Sequence, residues 1–327
     1  MNHHDFGRRR ESSIRRAMYN SVGTCSNGSY GYTIRTPRPI SRTRRASIRC
    51  KTAGVTIQIA GPDLLDTVPG RTFVAGLVED YLSASDGVSR SMFLHSLSQD
   101  ELVWSATNDV SSYLYSAGID AALCVDPADP GTVAMAAAIA VELSLPSRDT
   151  FTSPQQHAGA VGPLRLPHVT NRRGCAEVLP DGAFWTSTPL TEHISSWTYS
   201  RETNQPAHID ELHFDPTEIR VARIDSAADW CSLLRAHTRA DSTTGTLHPD
   251  WVSIATEYEA VHLSLSGLLT AHPPLSEVAA TGSSQNYAHS KIGAWAGVGD
   301  WSTVSTAWIK LPRSRRWTPM TATPLDR

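Results

Sequence analysis

No Cys-x-x-Cys occurs in this sequence, and its five cysteines, Cys25, Cys50, Cys124, Cys175 and Cys231, are odd in number and widely spaced. That pattern argues against a disulfide framework and a structural zinc site, and predicts free, mostly buried thiols in a reducing compartment. Long apolar runs are also missing. The longest spans residues 133–141 and is closed by Glu142, well short of the ~20 residues a membrane span needs. No apolar segment follows the basic start, so no secretory leader is expected. The resulting expectation is a cytoplasmic protein without membrane contact. Phosphate-cradling Gly-x-x-x-x-Gly-Lys-Ser/Thr, dinucleotide-binding Gly-x-Gly-x-x-Gly, zincin His-Glu-x-x-His and the Gly-x-Ser-x-Gly elbow are absent. The chemistries that rest on those local geometries are therefore not expected here.

The 327 residues suggest about two domains. The net charge of −3 hides a division. Residues 1–54 carry eleven Arg and Lys51 against Asp5 and Glu11, a net +10. Residues 55–312 carry 13 basic and 29 acidic side chains, a net −16, and Arg313, Arg315, Arg316 and Arg327 make the last fifteen residues basic again. An acidic body repels phosphate backbones, so nucleic-acid contact is expected only from the ends. Segment 1–54 lacks apolar periodicity and reads as disordered. It is a solvated tail or upstream extension, a nucleic-acid arm, or an Arg- and Ser-rich transit peptide.

From residue 55 the pattern changes. A short strand is expected over 55–59 and helices near 71–83, around Met92–Leu97 and around Val110–Leu114. A buried strand is expected at 121–125. Asp129-Pro130 then opens an Ala-rich helix that Pro146 ends. This makes 55–146 a mainly helical domain and 147–162 a linker. Residues 163–312 read as a mixed α+β domain. Its expected strands lie near 164–169, 183–188, 218–224, 260–265 and 306–311. Ser226 and Asp250 cap its helices, and 313–327 is a basic tail. The overall class is α+β.

Of the thirteen histidines, His208 and His213 form the densest acidic neighbourhood, with Asp210, Glu211 and Asp215. Two His five residues apart share neither a helix face nor a strand face, so a solvated loop is expected there and no metal. The segment Gly182-Ala-Phe-Trp-Thr-Ser-Thr-Pro-Leu190 resembles the Ser-Thr-Ser strand of Arg-Ser-Glu-type ADP-ribosyltransferases. The resemblance implies an upstream basic residue, Arg165 or His168, and a later carboxylate, Glu257 or Glu259 of Glu-Tyr-Glu. Ser187 and Thr186 would sit near the nicotinamide riboside of NAD, with Trp185 stacking on nicotinamide. The carboxylate would stabilise the oxocarbenium-like charge as the glycosidic bond breaks. The bland alternatives are that these hydroxyls and indoles are sheet core and that the glutamates merely end a helix.

The same domain resembles a group of uncharacterised actinobacterial and actinophage proteins. The resemblance lies in Phe184-Trp-Thr-Ser, Arg223-Ile-Asp-Ser, Asp250-Trp251, Ala260-Val-His-Leu and Trp301 to Trp308. Where acidic residues are expected between the last two Trp, Ser302-Thr-Val-Ser305 has none. The implied function is NAD-dependent ADP-ribosyl transfer to a macromolecular acceptor, as an intracellular toxin or phage-associated effector, with NAD as substrate. The alternatives are a catalytically degenerate scaffold that binds a protein and a nucleic-acid-associated protein using its Arg-rich ends.

Overall fold

Six helices precede the first strand among the residues described by a computed structural model of the chain. Those residues are 61–84, 87–115, 118–158, 166–171, 178–191, 194–199, 209–240, 247–280, 297–298 and 301–320. The basic segment 1–54, the strand expected over 55–59, Arg165 and His208 lie outside them. The helices are α1 (Gly61–Asp66), α2 (Val68–Ala84), α3 (Arg90–Ser96), α4 (Gln99–Tyr115), α5 (Gly118–Cys124) and α6 (Pro130–Leu143). Local signals account for several starts. Ser89 accepts from Met92 N at α3, and Asp129 accepts from Thr132 N at α6 with Pro130 in the first turn. Segment 121–125 is not the expected strand. Ile119 and Ala122 are buried while Ala121, Leu123 and Cys124 are exposed, a three-residue period that a strand with both faces buried cannot produce. Of the cysteines expected to be mostly buried, the two in described residues are exposed (Cys124) and half-buried (Cys231).

The strands are β1 (Gln155–Ala158), β2 (Thr170–Asn171), β3 (Pro180–Asp181), β4 (Phe184–Ser187), β5 (Pro189–Thr191), β6 (Ile194–Ser195), β7 (Ile209–His213), β8 (Val221–Ile224), β9 (Thr238–Ala240), β10 (Leu247–Pro249), β11 (Ala260–Leu263), β12 (Ser305–Trp308) and β13 (Arg316–Met320). Between them lie α7 (Ala227–Ala236), α8 (Trp251–Glu257), α9 (Leu265–Thr270) and α10 (Leu275–Ala280). One seven-stranded sheet runs β13-β7-β1-β4-β12-β11-β8. Its neighbours are antiparallel except β11 and β8, which are parallel. The architecture is helices plus a mixed sheet.

Three expectations are corrected here. Residues 155–158, expected in a linker, form the third strand of the sheet. Gln155 and Gln156 look like linker residues by polarity, yet both are buried beside hydroxyls of β4. Residues 316–320, expected in a basic tail, pair along all of β7 as an edge strand. Arginine and Pro319 on that strand suit an edge that must not recruit another chain. Residues 209–213, expected in an acidic loop, are β7 itself, and Leu212 alone points fully into the core.

Strand alternation gives the sheet two different faces. Ala222, Ile224, Val261, Leu263 and Ala307 belong to one large core with Phe73, Leu102, Met135 and Trp230 of the helices. The helical segment and the α+β segment, expected as separate domains, thus share one interior. The described residues all fall in one compact unit. Side chains knit it across long sequence distances: Thr67 Oγ1 donates to Leu269 O at 2.7 Å, and the Thr107 and Thr303 hydroxyls meet at 3.1 Å. The opposite face carries a smaller core of Phe151, Leu212, Phe214, Ala260, Trp308 and Leu311.

The start of α8 gives the first expected result. Asp250 Oδ1 accepts from Ser253 N at 3.1 Å and from Asn171 Nδ2 at 2.9 Å, while Trp251 N donates to Asn171 Oδ1 at 2.8 Å. These bonds hold the Asp250 carboxyl below the usual carboxylate range, the Asn171 bond most of all. Asp250→Ala removes the cap and strands the Asn171 amide. Its urea midpoint should drop by the equivalent of about 1–2 kcal/mol. An unchanged midpoint would show that the cap contributes nothing.

Candidate functional site

β4 carries the residues singled out for nucleotide contact, and sheet geometry decides what each can touch. Thr186 and Ser187 are fully buried. Buried hydroxyls need partners, and both have them inside the protein. Thr186 Oγ1 accepts from Trp308 Nε1 at 2.8 Å and donates to Gln155 Oε1. Ser187 Oγ makes a long 3.4 Å bond to Gln156 O, and Thr188 Oγ1 donates to Thr150 O at 2.8 Å. Trp185 points to the helix-covered face and meets Trp301 edge to face, with centroids 4.8 Å apart. It is half-buried against the large core, with Trp301 edge-on to its ring.

The implied carboxylates lie elsewhere. Glu259 precedes β11. Its Oε2 accepts from Arg220 N at 3.1 Å, and its carbonyl accepts from Ile309 N and Lys310 N, each at 2.9 Å. In the sheet register Ser187 is level with Ser305 and Leu263. Glu259 is therefore four residues along and two strands across from Ser187, roughly 17 Å away at ~3.4 Å per residue and ~4.8 Å per strand. Glu257 ends α8, and its Oε2 lies 3.1 Å from His237 Nε2. His168 is exposed, and its backbone N donates to Gly182 O at 3.2 Å. Gly182 has φ +76°, and a Cβ there would lie 2.1 Å from His168 O, so only glycine fits this close approach. His168 is thus exposed, Ser187 is buried, and Glu259 lies two strands from Ser187.

Two groupings were not anticipated from sequence. The first is a polar chain inside the sheet. His262 is fully buried, with Nε2 2.8 Å from Thr150 Oγ1 and Nδ1 2.9 Å from Thr306 Oγ1. Burial pushes its pKa down to about 3, so one ring nitrogen donates and the other accepts. Beside it, Arg223 forms a two-pronged pair with Asp149, both bonds 2.9 Å. The sequence signal was a lone His in an otherwise apolar strand, Ala-Val-His-Leu.

The second grouping is aromatic and half-exposed. His157 stacks on Phe184 at 4.1 Å, and Trp317 stands edge-on to both at 6.4 and 5.5 Å. Trp197 closes the group, 6.5 Å from His157. Because the Trp185 carbonyl can only accept, its 2.9 Å contact places the His157 proton on Nδ1. Burial moves the His157 pKa below its ordinary value. The four rings come from β1, β4, β13 and the turn after β6, so the sheet order assembles them. Arg313, Arg315 and Arg316 are exposed on the approach to Trp317.

His213 and Glu211 face the same side of β7, with Nε2 and Oε2 3.3 Å apart. Among the described residues no group of three or more His, Cys, Asp or Glu is placed to hold a metal ion. No helix among them is long and apolar enough to cross a membrane. No family model, curated protein or solved structure matches the chain.

Proposed function

We propose that the folded body is a protein-binding module whose contact surface is the His157, Phe184, Trp197 and Trp317 patch, and that it does not consume NAD. The observation that carries this reading is the contrast on β4. Its hydroxyls are buried and bonded internally, while Phe184 on the same strand joins a half-exposed aromatic group. Half-exposed Trp and Phe on a rigid sheet supply anchor area at small entropic cost, and such residues dominate binding energy at interfaces. The neighbouring arginines favour a partner segment that is acidic. The resemblance of β4 to the transferase strand keeps ADP-ribosyl transfer as the competing reading, and it requires Ser187 and Glu259 to act on one ligand.

One paired experiment separates them. Calorimetry with millimolar NAD, followed by a nicotinamide-release assay, should give neither heat nor turnover. In parallel, a photo-crosslinking amino acid at Phe184 should capture an acidic protein partner, whereas the same group at exposed Val252 should not. Replacing Arg316 by Glu should slow that capture and flatten its salt dependence. NAD turnover abolished by Glu259→Gln would reverse the conclusion.

A further inference from the structure

Glu257 was singled out as a carboxylate for ribosyl transfer, but the fold gives it another partner. Its Oε2 lies 3.1 Å from His237 Nε2, and the opposite ring nitrogen, Nδ1, lies 2.9 Å from Ser253 Oγ. A carboxylate only accepts. Nε2 therefore carries the imidazole proton, and Nδ1 presents its lone pair to the Ser253 hydroxyl. We infer that Ser253, His237 and Glu257 form a nucleophilic serine centre that hydrolyses short-chain carboxylic esters. The roles are nucleophile, general base and orienting acid, a relation recognised by geometry and not by chain order.

The frame that holds the three groups is rigid. His237 caps the C-terminus of α7, with its N donating to Leu233 O at 2.9 Å and its carbonyl accepting from Asp250 N at 2.8 Å. Its ring is held edge-on to Tyr258, with centroids 6.1 Å apart. Ser253 and Glu257 are one helical turn apart on α8, so both reach the same imidazole. Asp250 fixes Ser253 through its backbone N. The centre opens outward: Ser253 is half-buried, the Glu257 side chain is 57 % exposed and adjacent Val252 is 52 % exposed. Arg239 lies on β9, opposite His248 of the strand that leads into α8, and is tied by Nε to Pro249 O at 3.3 Å.

The reaction balances without any co-reactant other than water. Ser253 Oγ attacks the ester carbonyl as its proton passes to His237 Nδ1, forming the Oγ–C bond and an oxyanion. Collapse of the oxyanion breaks the C–O bond to the alcohol, which leaves with the proton from Nδ1. Water then attacks the acyl-serine and gives its proton to Nδ1. The carboxylic acid departs, and the proton returns to Ser253. This centre shares no residue with the aromatic patch, so either reading can fail alone.

The test is labelling of the full chain with a fluorophosphonate, followed by peptide mass spectrometry, together with p-nitrophenyl acetate turnover. The expected result is a single phosphonyl adduct on the peptide containing Ser253, and ester turnover blocked by it. Glu257→Gln should slow labelling at least about 10-fold while barely moving the melting temperature, because that side chain is largely exposed. The same triad acting only as a clamp between α7 and α8 gives no adduct in the unaltered protein, and that outcome overturns the proposal. So does an adduct on another serine that persists in Ser253→Ala.

Discussion

Gly267→Ala should be the most damaging single methyl added to this protein. Helix α9 is buried along its whole length and lies against the end of β8. Ser264 N and Ser264 Oγ both donate to Ile224 O at 3.2 Å, and Ser266 Oγ donates to Asp225 O at 2.6 Å. These bonds draw the helix so close that a Cβ on Gly267 would fall 1.9 Å from Ile224 O and 2.8 Å from its carbonyl carbon. Backbone cannot swing aside as a side chain can. Relief requires α9 to lift, which breaks the serine bonds and unpacks Leu265, Leu268 and Leu269 from the shared core. Overpacking typically costs 1–3 kcal/mol, and this site should lie at about 3 kcal/mol or above. Urea unfolding should show a large fall in midpoint with little change in slope. Gly76→Ala is the control. Gly76 is exposed on α2 with nothing within 4 Å of an added Cβ. There alanine should stabilise by about 0.5–1 kcal/mol, through helix propensity alone. Equal effects at both positions would contradict the close approach of α9 to β8.

Stability should peak near pH 6.5 and fall on both sides. His262 and His272 are buried, and burial holds their pKa values down at about 3 and about 4, from an ordinary 6.5. His272 Nε2 donates to Leu268 O at 2.8 Å, which offsets only part of that burial. Below pH 6.5 the unfolded chain takes up protons at these rings while the folded chain does not. The unfolded state therefore binds more protons, and stability falls with acidification. Asp109 acts in the opposite sense. Its residue keeps some exposed surface, but burial of the carboxyl, opposed by a bond from Thr72, pushes it up to about 8. Between 3.8 and 8 the folded chain holds a proton there that the unfolded chain has lost, so stability falls as pH rises. Between about pH 4 and 6.5 His262 and His272, joined by His157, whose pKa burial also lowers, oppose Asp109. His262, His272 and Asp109 by themselves give a slope of about one proton, or roughly 1.4 kcal/mol per pH unit. Above 6.5 only the aspartate acts, and stability declines to about pH 8. His262→Gln keeps a neutral group that can bond both Thr150 and Thr306, and it should flatten the acid limb. Asp109→Asn should remove the alkaline decline. Melting temperatures from pH 4 to 9 test this, and an acid limb unchanged in His262→Gln would show that the ring titrates normally.

The single β4 strand shows how far local reading extends. Phe184–Ser187 is a strand, as expected within 183–188, and Ser226, Asp250 and Asp129-Pro130 begin helices where capping chemistry places them. The resemblance also put Thr186 and Ser187 on a strand ahead of a Glu-x-Glu, which is correct in order. Order along the chain says nothing about distance across a sheet, and Glu259 sits at the opposite end of β11 from Ser187. Polar composition misled in a consistent way. Gln155, Gln156 and Arg316 suggested linker and tail, because solvent-like residues in mid-sheet or on an edge are recognised only once their partners are known.

What the sequence determined alone was therefore short-ranged: helix starts and stops, strand periodicity, the α+β class and the acidic body between basic ends. These depend on contacts within about four residues and on summed charge. Tertiary structure alone decided the joining of the helices and the sheet into one core, the burial of His262, and the aromatic patch drawn from three strands and a turn. It also decided the pairing of Glu257 with His237 instead of with β4. Each of these is set by strand order and by bonds such as Thr107 to Thr303, 196 residues apart. No local spacing encodes such a bond, because its energy exists only after the intervening chain has packed.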